Sequence, residues 1–272
     1  MLAPQVNIAS RAARQAGTLL RRAADDVRQL TIETKGRNDF VTEVDRASEA
    51  RIIEVIRKAY PDHGFLCEES GVQEGQGAGR DWQWIIDPLD GTTNFLHGFP
   101  QYCISIAAKY QGRLEHALIY DPLRDEEFSA SRGRGAALNG HRIRVTQPKS
   151  LEGTLIGTGF PFRQDQAAHM DAYLAMFKEI ATHSAGLRRP GSAALDLAWL
   201  AAGRTDGFFE IGLQQWDIAA GALLVTEAGG LIGDISGGAR HLESGNVVAG
   251  SIKVFKQLLQ IIQPHLTDAL KR

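Results

Sequence analysis

Apolar residues follow a helical period at the start of the chain, and two helices are predicted there. The apolar positions on one face are Val6, Ala9, Ala13, Ala16 and Leu20. This spacing predicts an amphipathic helix that ends near Asp26. A second helix should begin at Thr42, because Thr42 and Asp45 have the spacing of a capping box, and it should end near Tyr60, before Pro61.

The residues between the second helix and about Ser150 follow strand patterns instead. A short strand precedes Glu68, a continuous apolar strand occupies WQWIID, and further strand-like segments cover 103–110, 114–120 and 127–131. The dipeptide Asn139-Gly140 is typical of a two-residue hairpin turn. Neighbouring strands with short connections predict an antiparallel sheet.

After about Ser150, predicted strands alternate with predicted helices. The strands are TLIGTGF, GFFEIG, LIGDI and NVVAG, and the helices cover 164–182, 192–202 and 217–228, with a last one from Ser251. The pair Gly229-Gly230 should end the 217–228 helix. Such alternation indicates layers of sheet and helix. We expect a single domain over 1–272, with an N-terminal α+β half at 1–150 and a C-terminal α/β half at 151–272.

Composition and charge narrow the class of protein. The chain has 272 residues, of which 43% are hydrophobic and 23% charged, and a formal net charge of −2, which favours neither nucleic acid nor acidic membranes. No apolar run reaches the ~18 residues of a membrane span. The first 24 residues contain arginine and no acid, as transit peptides do, but the continuing apolar spacing favours a helix of the folded protein. The expected location is therefore the cytoplasm.

The two cysteines are far apart in the sequence and lack CxxC spacing. Two buried thiols in a reducing compartment are expected for Cys67 and Cys103, with one disulfide as the alternative.

The stretch WQWIIDPLDGTTNF runs an apolar strand directly into two aspartates, Asp87 and Asp90. Two carboxylates 4 Å apart repel each other by up to ~4 kcal/mol at an effective dielectric near 20. A turn at Pro88 can direct both carboxylates to one side, where clustered oxygen ligands suit Mg²⁺. Zinc is not indicated, because the eight histidines show no metal-ligand spacing.

A glutamate pair, a further aspartate and a polar segment extend this pattern. The acids are Glu68-Glu69 and Asp217, the latter at a predicted helix start, and the polar segment runs from Gly91 through Thr92 and Thr93 to Asn94. If a helix begins there, its free N–H groups form an anion site. Each feature alone has an ordinary explanation: a solvated glutamate pair, an Asx turn or a helix cap. Only their combination predicts a phosphate site beside a metal.

The combination resembles the inositol monophosphatase family. The segments EES, DPLDGTTN and WDIAAG occur in the family's order and spacing, and the last two are its signature regions. Similarity continues through KGRNDFVTEVD, RRPGSAALDLAWLAAGRTDGFFEIG and GGARHLESGNVVAG, nearly the whole chain. The resemblance implies an αβαβα sandwich, Mg²⁺-dependent phosphomonoesterase activity, inhibition by Li⁺ and a homodimer.

The resemblance also implies roles for individual residues. The implied ligands of two to three Mg²⁺ ions are Glu68, Asp87, the Leu89 carbonyl, Asp90 and Asp217, with Asp45 supporting a third, weaker ion. Thr92 would act with Glu68 to activate water. The phosphate would lie on Gly91, Thr92 and Thr93, and inositol hydroxyls would contact Gly191, Ser192, Ala193, Glu210 and Asp217. Lys35 would lie on a loop that is mobile in the family.

Three functions are weighed from these residues. The first is hydrolysis of myo-inositol 1-phosphate by water, with two ions offsetting the carboxylate repulsion. The second is hydrolysis of another sugar or nucleotide phosphate. The third comes from bacterial members associated with ribosomal RNA transcription and maturation: RNA polymerase and transcription-elongation factors would be partners, through arginines such as Arg132, Arg134, Arg142, Arg144, Arg188 and Arg189. The alternative for these arginines is an ordinary hairpin or subunit interface.

Overall fold

The computed structural model describes residues 3–25, 32–36, 39–161 and 164–271, with side chains at 32–36, 39–41 and 164–165 left undescribed. Within those residues the helices are α1 Pro4–Ala24, α2 Glu43–Ala59, α3 Thr92–Leu96, α4 Met170–His183, α5 Ala193–Ala201, α6 Gln215–Glu227, α7 His241–Ser244 and α8 Ile252–Ile262. The predicted first helix is confirmed as α1, which starts with a proline at N1 and buries the predicted apolar face. Its predicted end at Asp26 lies outside the described residues.

The predicted capping box at the start of α2 is confirmed. The Thr42 hydroxyl oxygen accepts from the backbone N–H of Val44 and Asp45, and the Asp45 carboxylate accepts from the Thr42 N–H at 2.9 Å. Val44, Ile52 and Ile56 then face the core. Two short strands, β1 Ile32–Gly36 and β2 Asp39–Thr42, pair antiparallel just before this helix.

The first large sheet has eight strands in the order β10-β9-β8-β7-β6-β5-β3-β4. Its strands are β3 Gly64–Cys67, β4 Gly71–Gln73, β5 Trp82–Asp90, β6 Cys103–Tyr110, β7 Arg113–Asp121, β8 Glu126–Ser131, β9 Gly135–Leu138 and β10 His141–Ile143. The antiparallel prediction is confirmed with one exception, because β3 pairs parallel with β5. The hairpin turn between β9 and β10 has φ of 48° at Asn139 and 79° at Gly140, as the Asn-Gly signal predicts.

The second large sheet has five strands in the order β12-β11-β13-β15-β14. They are β11 Leu155–Thr158, β12 Gly186–Arg188, β13 Gly207–Glu210, β14 Leu231–Gly233 and β15 Val247–Gly250. The pairs of β11 with β12 and β13 are parallel, whereas β15 runs antiparallel to β13 and β14. The predicted helix over 164–182 was wrong at its start, since 164–169 form a 3₁₀ helix and α4 begins at Met170.

Five layers result from the packing of helices on the two sheets. The helices α1 and α2 share a core with one face of the eight-stranded sheet, and α5 and α6 pack between its other face and the five-stranded sheet. The outer face of the five-stranded sheet packs against α4 and α8. The predicted αβαβα sandwich is therefore confirmed.

Two smaller expectations can be compared with the structure. Cys67 and Cys103 are free and buried, as predicted. Among the described residues, no helix combines the length and apolar character that crossing a membrane requires.

Candidate active site

A local irregularity in β5 brings Asp87 and Asp90 to the same region. In a regular strand, residues three apart point to opposite faces. Against β6, however, Asp87 pairs with Ser105 and Asp90 with Cys103, so the β5 segment has one extra residue. A bulge of this kind redirects the side chains that follow it. The Pro88 carbonyl in the bulge accepts a hydrogen bond from Ser48 of α2 at 2.9 Å, which fixes the bend.

Asp217 completes a cluster of three aspartates. One carboxylate oxygen each from Asp87, Asp90 and Asp217 lies within 4.8 Å of the others. Asp217 is not the N-cap of α6, which is Gln214; it is the third helical residue, and its carboxylate accepts from the Gln214 N–H at 2.7 Å. The helix start thereby orients this side chain toward β5.

Burial and mutual repulsion act together on the cluster. Asp87 is 2% exposed, and its burial, followed by the charges of Glu68, Asp90 and Asp217, raises the pKa of its carboxyl well above the usual value. Burial and the charge of Asp217 raise the pKa of Asp90 to about 7. Buried, acceptor-only oxygens at this spacing fit a hard divalent cation such as Mg²⁺, which would favour their ionised forms.

Glu68 joins the cluster through the parallel pairing of β3 with β5. It follows β3 directly, and its N–H donates to the Ile86 carbonyl at 3.2 Å. A hydrogen bond between the Glu68 and Asp87 side chains also contributes to the raised pKa of Asp87. The buried carboxylate of Glu49 accepts from the N–H groups of Glu69 and Ser70 at 2.9 and 3.0 Å, and so holds the turn that carries Glu68.

Thr92 links the cluster to the start of α2. Its hydroxyl lies 3.0 Å from an Asp45 carboxylate oxygen and 3.1 Å from the Leu89 carbonyl. A hydroxyl has a single proton to donate, so these two acceptors share it and the oxygen lone pairs stay available. Asp45 itself is fully buried, and its carboxylate accepts from Thr42 and Thr92 rather than lining the cavity.

A cavity of about 500 Å³ opens over these residues. It brings together the other predicted site residues: Glu68, Asp87, Leu89, Asp90, Gly91, Thr92, Thr93, Gly191, Ser192, Ala193, Glu210 and Asp217. Asp45 lies behind Thr92, and Lys35 is part of β1, where side chains are not described.

The two halves of the chain meet at Asp90. The Ser192 hydroxyl and the Ala194 N–H both donate to its Oδ2 at 2.7 Å. Ser192 is the N-cap residue of α5, but its side chain makes no capping hydrogen bond and donates to Asp90 instead. Nearby, the Asn94 amide donates to the Pro190 carbonyl at 2.8 Å and so ties α3 to the same turn.

Asp196 is a cavity residue that the sequence reasoning missed. It lies on α5, is 3% exposed and lines the cavity with Glu210. The available signal was one acid inside the apolar segment AALDLAWLA, which has no motif of its own.

Comparisons with known proteins point to one family. A sequence model of the inositol monophosphatase family matches residues 1–267. A Pseudomonas aeruginosa protein described as Nus factor SuhB is 58% identical over 269 residues, which are 99% of each chain. The crystal structure of extragenic suppressor protein SuhB from Bartonella henselae superposes with a TM-score of 0.93 at 41% identity, covering 97% of this chain and 100% of that one. Inositol monophosphatase from Anabaena gives a TM-score of 0.83 at 34% identity, covering 95% and 94%.

Proposed function

This chain belongs to the inositol monophosphatase family, a family of phosphatases, and from that premise we propose that it hydrolyses a small phosphate monoester with the help of Mg²⁺. The observation that carries the proposal is the buried cluster of Asp87, Asp90 and Asp217 at the floor of a cavity. Such a cluster is unfavourable without a cation, because neighbouring negative charges repel one another.

The proposed metal ligands are Glu68, Asp87, Asp90, Asp217 and the Leu89 carbonyl. When bound, Mg²⁺ would supply positive charge that neutralises the carboxylates and a phosphate, and would make water more acidic. The chain's own part is to hold these oxygens in one place through the β5 bulge, the α6 start and the turn after β3. Asp45 is proposed as support for a weaker third ion through Thr92, which it contacts at 3.0 Å.

The start of α3 is the proposed phosphate site. N–H groups in the first turn of a helix lack partners within the helix, so those of Thr92 and Thr93 are suited to phosphate oxygens. Gly91 precedes them with φ of 105°, and a Cβ there would lie 2.9 Å from the Gln101 carbonyl oxygen. A side chain at this position would therefore displace the loop that shapes the site.

Glu68 and Thr92 are the proposed pair that orients the attacking water. The Thr92 proton is directed to Asp45 or Leu89, so the hydroxyl oxygen can accept a hydrogen bond from water. A Glu68 carboxylate oxygen would accept the proton that water loses on attack. No covalent intermediate with the protein is needed, since water attacks phosphorus directly.

Myo-inositol 1-phosphate is the proposed substrate. Glu210 and the turn at Gly191, Ser192 and Ala193 line the cavity beyond the acid cluster, where the alcohol half of the substrate would lie. A carboxylate beside the alcohol half can accept hydrogen bonds from the hydroxyl groups of a polyol. Other sugar phosphates and nucleotide phosphates are the alternatives for the same phosphate chemistry.

Phosphate release from inositol 1-phosphate, sugar phosphates and adenosine bisphosphate, with and without Mg²⁺ and Li⁺, tests the proposal. We expect Mg²⁺-dependent, Li⁺-inhibited release that is greatest with the inositol ester, and a loss of at least 100-fold in kcat for Asp90→Asn. Wild-type turnover in a chelator, or wild-type rates in Asp90→Asn, would refute the assignment.

We also propose a second function, in transcription, because the Pseudomonas relative that matches at 58% identity is described as a Nus factor. RNA polymerase and transcription-elongation factors would be the partners, and the protein would act in the cytoplasm as a homodimer. All six of the arginines considered are exposed, and one of them, Arg132, also pairs with Glu115 at 3.2 Å.

Affinity capture from a bacterial lysate, with wild type and Asp90→Asn side by side, tests this second function. Capture of polymerase subunits by both proteins would support a role separate from catalysis. Capture by neither would contradict it. Light scattering on the purified chain would test the homodimer.

A further inference from the structure

Asp196 is a buried acid whose side chain has no hydrogen-bonding partner among the described residues. Its backbone N–H donates to the Ser192 carbonyl at 3.0 Å as part of α5, but no described group donates to its carboxyl. The neighbouring helix positions Leu195 and Leu197 are fully buried, as an apolar helix between two sheets requires. A carboxyl in such a place is unfavourable unless something pairs with it.

The cavity is where that partner can come from. Asp196 is 3% exposed, and the cavity that it lines is the one over the acid cluster. The charged groups that act on it are Glu210, Asp90 and Arg189. Burial and the charges of Glu210 and Asp90 raise its pKa well above the usual value, whereas the charge of Arg189 lowers it.

Glu210 ends strand β13, which pairs with β11, and its side chain lies over Gly159 just after β11. A Cβ added to Gly159 would lie 1.6 Å from Glu210 Oε1, so the Glu210 carboxyl occupies the space that a side chain at 159 would fill. Two positions earlier, within β11, a Cβ at Gly157 would lie 3.2 Å from the Phe208 ring and 3.9 Å from the Asp196 Cβ. The end of β11 and the residue after it therefore pass close to both Asp196 and Glu210, the two acids that line this wall of the cavity.

We propose that Asp196 is a specificity-determining residue that binds a hydroxyl group of the substrate's alcohol half, next to the one bound by Glu210. This inference rests on the proposed phosphatase function and makes it more specific. Two neighbouring carboxyls recognise an alcohol with two adjacent hydroxyls, as in a cyclitol or a sugar. An alcohol without hydroxyls would leave the Asp196 carboxyl buried without a hydrogen-bonding partner, and sites of this kind discriminate strongly against such a substrate.

The test compares two substrates that differ only in hydroxyl groups: myo-inositol 1-phosphate and cyclohexyl phosphate. The readout is the ratio of their kcat/KM values in Mg²⁺ for the wild type, Asp196→Ala and Asp196→Asn, with Glu210→Gln as the reference variant. We expect Asp196→Ala to lower the ratio about tenfold, mainly through the KM of the inositol ester. Asp196→Asn, which keeps a donor and an acceptor of the same shape, should recover most of the ratio.

Each other outcome has a distinct meaning. An equal loss on both substrates would show that Asp196 only supports the fold, and an unchanged ratio would show that it reads no hydroxyl; either result overturns the inference and leaves the phosphatase function intact. If Asp196→Ala does not fold, the ratios of kcat/KM values for Asp196→Asn and for the wild type are compared instead. A wild-type ratio near one overturns the inference. A wild type inactive on both esters refutes the proposed function itself.

Discussion

Asp90 is held between groups that favour its ionised form and groups that oppose it. Ser192 and the N–H of Ala194 donate to one carboxylate oxygen, and both lower its pKa. Burial and the charge of Asp217 outweigh them and raise the pKa to about 7. The metal-free protein therefore contains a carboxyl that ionises at a cost to stability.

We predict that this cost appears as a pH dependence of the melting temperature. An unfolded aspartate has a pKa near 3.8, so between that pH and about 7 the folded state binds more protons and stability falls as pH rises. In a chelator, the melting temperature of wild type should fall relative to that of Asp90→Asn between pH 5 and pH 8, and Mg²⁺ should reverse this at pH 8. A difference between the two proteins that stays constant with pH would contradict the explanation.

Gly159 permits a second prediction at the scale of one residue. In Gly159→Ala the new methyl group would coincide with the Glu210 carboxyl, which is the flexible end of a side chain and can move away. We expect the melting temperature to change by less than about 2 °C and the KM for myo-inositol 1-phosphate to rise about fivefold. In a Glu210→Gln background, Gly159→Ala should raise the KM little further, because both substitutions act through the position of the side chain at 210. If the effects of the two substitutions on KM were fully additive, this explanation would be contradicted.

The sequence analysis identified the site residues that lie in motifs, but it missed roles that depend on tertiary contacts. Asp87, Asp90 and Asp217 were singled out because each follows or begins a recognisable element, and the cavity unites them. Thr42–Asp45 was predicted as a capping box, yet nothing local showed that Asp45 would also accept from Thr92, 47 positions away. The only local signal for Asp196 is one acid within an apolar helix, because its significance comes from strands that join α5 only in the folded chain.

Helix α6 packs closely against α5, and Gly221 makes that approach possible. A Cβ at Gly221 would lie 2.5 Å from the Leu197 Cβ, which is fixed to the α5 backbone. These two helices carry Asp217 and the N–H that binds Asp90. The spacing of the helices therefore helps to set the spacing of the acids.

We predict that Gly221→Ala destabilises the protein although alanine is the better helix former. The helical gain of about 1 kcal/mol is opposed by overpacking that typically costs 1–3 kcal/mol, and a clash at this distance lies at the upper end. We expect a melting temperature about 2–6 °C lower, followed by circular dichroism. Combining the change with Leu197→Ala should cost less than the sum of the two single variants; a more stable Gly221→Ala would refute the clash.

At the scale of elements, the periodicity of apolar residues predicted whether a segment is a helix or a strand better than it predicted which strands pair or where helices begin. The strand pattern of β3 and β5 was visible, but an apolar strand does not reveal whether its neighbour runs parallel, and this pair does. The turn over 164–169 has helical composition but tighter 3₁₀ geometry. The predicted start of α6, at Asp217, lies two residues after the observed start at Gln215, because the acid at the third helical position was interpreted as the cap.

At the scale of the whole molecule, the middle helix layer shares one hydrophobic core with both sheets. A single core cluster contains residues of the eight-stranded sheet such as Ile119, of the helices such as Leu197 and Leu224, and of the five-stranded sheet such as Phe208. Neither sheet can lose this layer without exposing apolar surface. The layered class was predictable from alternating elements and from the family resemblance, whereas the shared core depends on tertiary contacts that no segment displays.

We predict that the two sheets unfold together. The four tryptophans lie in β5, α5 and α6, so fluorescence reports on the first sheet and the middle layer, while circular dichroism reports on all layers. Urea transitions followed by both probes should have the same midpoint and slope. Separate midpoints would show that the five-stranded sheet with α4 and α8 unfolds independently.

The contact of Asp90 with α5 has a consequence during protein synthesis. A ribosome adding about 5–20 residues per second exposes Asp217 roughly 6–25 s after Asp90. Throughout that interval the nascent chain has the first two aspartates but lacks the third, and for most of the interval it also lacks the start of α5, which holds Asp90. Cation capture by the complete site must therefore follow translation of α6, and a ribosome stalled before that point would display a chain that cannot yet gain stability from the ion.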